Sequence, residues 1–170
     1  LGPTLFGRVP YLIPVSWFFM GIASYGISEA IFSSVRFSVG RLLLASWILV
    51  SWDLTLDPAM SHLAPFWTWN EAGPYFGTPL LNLAGWYFTG FLIMLGFELL
   101  RVNLWIGRIP TFRFVAFYAA NLILPLGIVL AAQLWEAVAI SAICFSVVPV
   151  LFIFRRLFWA PPLMAQLPAD

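Results

Sequence analysis

Charge is what this sequence has least of: 9% of its 170 residues are charged, there is no lysine, and histidine and cysteine occur once each. Soluble globular domains carry about a quarter charged residues. A chain so poor in polar surface cannot build a water-facing shell and needs lipid as its solvent. Eight arginines against seven acidic residues leave a net charge of +1, which excludes nucleic-acid binding through a basic surface. A lone Cys144 excludes an internal disulfide and a Cys-based metal site, and in its apolar run it reads as a small core or lipid-facing residue. Zinc fails for want of ligands. There is no Gly-rich phosphate loop, no Ser-His-Asp arrangement, no repeat and no low-complexity tract. The chain begins at Leu1 with neither Met nor a charged n-region, so no signal peptide is expected, and a processed form or a segment of a longer polypeptide is.

Hydrophobic residues make up 62% of the chain and aromatic ones 18%, and mean hydropathy is +0.96. The implied fold class is all-α: a polytopic transmembrane helical bundle of about five spans, forming a single transmembrane domain over 1–170. The spans are expected at about 10–34, 39–56, 80–100, 114–132 and 137–155. Pro10 and Pro14 fall in the first turns of span one, where a missing N–H costs least. Asp57-Pro58 is expected to end span two, because the residue before a proline is pushed out of the helical region. A long extracytoplasmic loop rich in Trp, Pro and Gly then leads to span three. Arg101, Arg108 and Arg113 mark a polar connection containing Pro110. The apolar stretch from 114 to 155 is twice a membrane thickness, and Gln133-Leu134-Trp135-Glu136 is the polar point at which it can reverse. Pro125 and Pro149 are expected to kink spans four and five.

With five spans the arginines sort between the two sides. Arg36, Arg41, Arg101, Arg108, Arg113, Arg155 and Arg156 fall on one side and Arg8 on the other. By the positive-inside rule the first side is cytoplasmic, which puts Leu1 outside and Asp170 inside an integral protein of the plasma or inner membrane. Asp53, Asp57, His62, Glu71 and Glu136 then lie at the outer face, level with Trp52, Trp67, Trp69, Trp86 and Trp135.

The stretch 52–86 holds three of the seven acidic residues and the single histidine. Asp53 and Asp57 are spaced to lie one turn apart on one helix face, with Asp53 about 6 Å deeper by helical rise. Desolvation at that depth disfavours a charged carboxylate, and a second carboxyl nearby adds to the effect. A proton-holding carboxyl beside an ionised one suits general acid/base chemistry. The same pair also fits an ordinary helix end in contact with water, and the residues alone leave both readings open. Two aspartates with only Arg8 nearby make a poor magnesium-diphosphate site. His62 reads as a solvated loop residue or as a third polar member of the group. Glu98 and Arg101, at i and i+3, are expected to form a local ion pair. Glu29, one turn inside the cytoplasmic end of span one, is expected to pair across helices or to snorkel. Asn82, Asn103 and Asn121 are candidates for interhelical hydrogen bonds.

In order along the chain stand WDLxLDPxM at 52–60, WxW at Trp67 and Trp69, Gly73, and YFGxPLxNxxGW at 75–86, all preceded by GPTLFGRVPYLIPVSWFFM at 2–20. As one ordered set these resemble the integral-membrane carotenoid 1',2'-hydratase family, which includes bisanhydrobacterioruberin hydratases and gamma-carotene hydratases. The resemblance covers about residues 1–100 well and continues mainly as hydropathy. Members of that family carry further spans before the Gly2-Pro3 region. The resemblance implies addition of water across the terminal double bond of an acyclic carotenoid end group, in carotenoid biosynthesis, with no metal and no redox cofactor. Such a reaction needs a positioned acid, a carboxylate to orient water and aromatic faces to tolerate a cation. Asp53, the deeper, is assigned as the acid and Asp57 as the water-orienting base. Trp52, Trp67, Trp69, Tyr75 and Trp86 are candidate aromatic walls, and Asn82 is a further substrate contact. The implied partners are carotenoid and lipid. The alternative is a non-catalytic carotenoid-binding or structural subunit of a larger membrane complex, photosynthetic for example, with membrane-protein partners or a homo-oligomer. A transporter or channel is disfavoured, because a pathway needs polar groups through both leaflets, whereas the carboxylates gather at one face and spans four and five are nearly featureless.

Overall fold

The computed structural model describes residues 3–5, 7, 9–32, 38–63 and 71–158. Two short strands, β1 (Thr4–Leu5) and β2 (Val9–Pro10), pair antiparallel ahead of the first helix. The helices are α1 (Leu12–Phe32), α2 (Val39–Pro58), α3 (Leu80–Leu99), the short α4 (Asn103–Ile106), α5 (Thr111–Ala131) and α6 (Trp135–Phe158). All but α4 are long and apolar enough to cross a membrane, since about 20 helical residues rise through ~30 Å of hydrocarbon. The chain is an integral-membrane helical bundle. Its reversal between α5 and α6 falls at the QLWE segment, where Gln133 takes a left-handed conformation with φ of 57°.

The bundle is built around α2, which packs against α1, α3, α5 and α6. Some 67% of its apolar window is buried, against 17–22% for α3, α5 and α6, whose remaining faces are apolar and open to lipid. Close approach on the α1 side comes from small residues, among them buried Gly21, Ala23, Ser24 and Ser28. At Gly26 a Cβ would lie 2.5 Å from the Phe114 ring on α5, so a side chain there would push the two helices apart. Buried Ser46 and Ser51 on α2 return their hydroxyls to the carbonyls of Leu42 and Trp47, each at 2.7 Å, and so bring no unpaired donor into the core.

The second helix does not stop at Asp57-Pro58. It runs through the proline and continues as a π-helical turn, Ala59–Leu63. Pro58 has no N–H to offer the Leu54 carbonyl four residues earlier, and the Tyr75 hydroxyl donates to that carbonyl at 2.5 Å. The same substitution of donors occurs in α5. Pro125 deprives the Asn121 carbonyl of its helical partner, and the Trp52 indole N–H donates to it at 3.2 Å. Helices with internal prolines persist in an apolar medium when another group takes the freed carbonyl.

At the end of α2 away from Asp57, the sequence expectations need two corrections. Arg41, read as a charge flanking the span, is fully buried. Its guanidinium grips Glu98 on α3 through both Nε, at 3.1 Å, and Nη2, and it reaches Glu29 on α1 through Nη1. Glu98 is therefore held by Arg41 and by the Tyr25 hydroxyl at 2.5 Å, not by Arg101, which takes a left-handed conformation just past the end of α3. The helical spacing was right for an i, i+3 pair, but an almost fully buried carboxylate takes the charge that is buried with it. Glu29 does pair across helices. Asn121 does not: its side-chain amide donates to the Phe117 carbonyl of its own helix at 2.8 Å.

Candidate functional site

The other end of α2 carries the acidic pair. Asp53 and Asp57 are 5% and 2% exposed, which rules out the reading of a water-bathed helix end. One turn of α2 separates them. Their surroundings differ. Asp57 Oδ2 accepts a hydrogen bond from the Thr78 hydroxyl. Asp53 Oδ2 is buried with no hydrogen-bond partner among the described residues.

Thr78 reaches Asp57 because the segment before α3 is folded into a tight reversal. Gly73 N–H donates to the Gly77 carbonyl and Thr78 N–H to the Tyr75 carbonyl, both at 2.8 Å. Phe76 and Gly77 take positive φ angles of 47° and 87°. Gly73 is required by proximity, since a Cβ there would sit 2.0 Å from the Thr78 carbonyl oxygen. The result is that fully buried Thr78 and buried Tyr75 are both delivered onto the last turns of α2.

Further hydroxyls gather along the last turns of α2. Thr55 donates to Ser141 on α6 at 2.8 Å, and Ser141 lies close to the Tyr75 hydroxyl. Burial, followed by the nearby Cys144 and Asp57, pushes the Tyr75 phenol up, so it stays a neutral donor to the Leu54 carbonyl. Tyr118 on α5 lies within electrostatic reach of Asp53, with its hydroxyl held by the Ile48 carbonyl at 2.6 Å.

Of the candidates read from sequence, Asp53, Asp57 and Tyr75 come together around the end of α2. Trp52 lies in the main core, buried, with its N–H committed to α5. Asn82 stands in the first turn of α3 with a buried Nδ2 that has no partner among the described residues. Trp86 is half-buried one turn further along the same helix. Trp67 and Trp69 lie outside the described residues, as does the side chain of His62, whose backbone forms part of the π-turn. Glu71 is exposed. Thr78, Thr55, Ser141 and Tyr118 were missed. Thr78 occupied the unassigned position of YFGxPLxNxxGW, and Ser141 sits in a span that reads as featureless. No set of three His, Cys, Asp or Glu side chains converges as metal ligands among the described residues.

Fold and site together define an integral-membrane helical protein with a buried carboxyl pair near one end of its central helix. The sequence model of the family described as "Carotenoid biosynthesis protein" matches residues 1–149, and the chain belongs to that family. A bisanhydrobacterioruberin hydratase from Haloarcula japonica is 36% identical over 101 residues, which is 58% of this chain and 33% of the relative. The chain thus spans about a third of that relative's length. No solved structure matches the chain significantly.

Proposed function

We propose that this protein adds water across the terminal double bond of an acyclic carotenoid end group, with no metal and no redox cofactor. The observation that carries the reading is the buried Asp53–Asp57 pair, one member donor-bound and the other with an oxygen unpartnered among the described residues, in a chain of the carotenoid biosynthesis family. The hydratase name of the Haloarcula relative supports it.

In the proposed reaction the Asp53 carboxyl gives its proton to the less substituted carbon of a trisubstituted alkene. The C=C π pair forms the new C–H bond, and a tertiary cation is left on the neighbouring carbon. Water oriented by Asp57 attacks that carbon, and its surplus proton passes to Asp57. Transfer of one proton within the pair restores the starting state, so atoms and charge balance to alkene plus water giving tertiary alcohol. Aromatic faces lower the energy of the cation, a role we assign among the described residues to Tyr75 and Trp86 and, from the sequence reading, to Trp52 in the main core. The polyene would lie along the open apolar faces of the helices, with its end group near the Asp57 end of α2.

The orientation belongs to the same proposal. Arg101, Arg108 and Arg113 follow α3 on the side of the bundle away from Asp57, and the positive-inside rule makes that side cytoplasmic. Arg41 drops out of this count because it is buried and paired. The acid pair then faces the outer interface of a plasma or inner membrane.

The test is to express the chain in a heterologous membrane that makes an acyclic carotenoid, and to analyse pigments by mass. A product heavier by one water is expected. Stably bound carotenoid with no such product would overturn the hydratase reading in favour of a carotenoid-binding subunit.

A further inference from the structure

We propose that Thr78 is a positioning residue that decides which aspartate of the pair carries the negative charge, making Asp57 the carboxylate and Asp53 the neutral acid. The assignment of acid and base rests on the hydration reading; the location of the proton does not.

Two carboxyls one turn apart in an apolar bundle do not both ionise without a high cost. The charge settles where a donor meets it, because a hydrogen bond to an ionised group is about twice as strong as a neutral one. Thr78 Oγ1 bonds Asp57 Oδ2, whereas Asp53 Oδ2 has no partner among the described residues. An ionised Asp53 would therefore be a buried charge with an unsatisfied oxygen, the costlier arrangement. Among the described residues, the titratable groups near the pair on neighbouring elements do not reverse this choice. Tyr118 on α5 spends its proton on Ile48, Tyr75 spends its proton on Leu54, and Cys144 on α6 is a weak donor.

The hydroxyl is placed by backbone, not by chance. The Gly73–Gly77 bridge and the Tyr75–Thr78 turn hold residue 78 against the end of α2, and the fully buried Thr78 side chain has no water to compete with its acceptor. The reversal thus carries both contacts to α2: Tyr75 takes the Leu54 carbonyl that Pro58 leaves free, and Thr78 sets the proton.

Infrared spectroscopy of the full chain in lipid nanodiscs reads the proton directly through the C=O stretch of a protonated carboxyl. The band is expected to vanish in Asp53→Asn and to persist in Asp57→Asn. Thr78→Val is expected to shift or split it and to lower turnover of an added acyclic carotenoid roughly ten- to hundredfold, the effect of losing a hydrogen bond to a charged group. Thr78→Ser, which keeps the hydroxyl, is expected to restore both, and Thr78→Ala gives the same reading as Thr78→Val without added bulk. A band lost in Asp57→Asn and kept in Asp53→Asn overturns the assignment. So does a band unchanged in both Thr78→Val and Thr78→Ala. A wild-type protein with the expected band pattern but no hydrated product overturns the hydratase reading and leaves the role of Thr78 standing.

Discussion

At the scale of single residues, the proposed hydration turns on how differently two identical side chains are surrounded. Asp53 and Asp57 share a helix face, yet Asp57 meets a hydroxyl and Asp53 Oδ2 has no partner among the described residues. General acid or base catalysis contributes roughly 10²–10⁴-fold to a rate. Asp53→Asn is accordingly expected to lower hydration by about that factor, with carotenoid binding retained in a visible absorption titration. Asp57→Asn is expected to lose water capture and to fall by a comparable factor. Full activity in Asp53→Asn with none in Asp57→Asn reverses the two roles. The pair itself was legible from its spacing, because i and i+4 always share a face. Its partners were not, since Thr78 is brought in from the far side of a loop and nothing local marks it.

At the scale of elements, prolines show how tertiary contacts override a local rule. A proline inside a helix removes one hydrogen bond and strands a carbonyl; in this bundle Tyr75 and Trp52 supply the missing donors from other elements. Tyr75→Phe leaves the Leu54 carbonyl unpaired in an apolar setting, at a cost of about 1–3 kcal/mol. That destabilisation is expected as a lower thermal unfolding midpoint in detergent. In a Pro58→Ala background residue 58 regains its N–H, so adding Tyr75→Phe is expected to cost much less. Equal losses in both backgrounds would show that the tyrosine acts otherwise than by replacing the proline's missing donor. The sequence placed the end of α2 at about residue 56, just short of Pro58, and had no means to see the donor, which arrives from 21 positions away.

At the scale of the whole molecule, α2 carries buried charge at both of its ends. The Arg41–Glu29–Glu98 group ties α1, α2 and α3 together, with the Tyr25 ring 5.6 Å from the guanidinium, while Arg155 on α6 bonds the Ala30 carbonyl of α1. Removing one member of a buried ionic group leaves the others uncompensated, at roughly 3–5 kcal/mol. Arg41→Leu is expected to lower the unfolding midpoint and the yield of folded protein, and adding Glu29→Gln and Glu98→Gln is expected to recover much of the loss. No loss in Arg41→Leu would show that the group does not hold the bundle. Composition and hydrophobic run lengths determined by themselves that this is a membrane helical bundle, because a chain this poor in charge has no other solvent and lipid admits few architectures. The spacing of Asp53 and Asp57 likewise settled that they share a face. Which charges are buried, which aspartate has a donor and where a helix passes through its proline were decided only in the tertiary structure. Each depends on a side chain delivered from a distant segment, and an apolar interior, offering no water as an alternative partner, makes that delivery decisive.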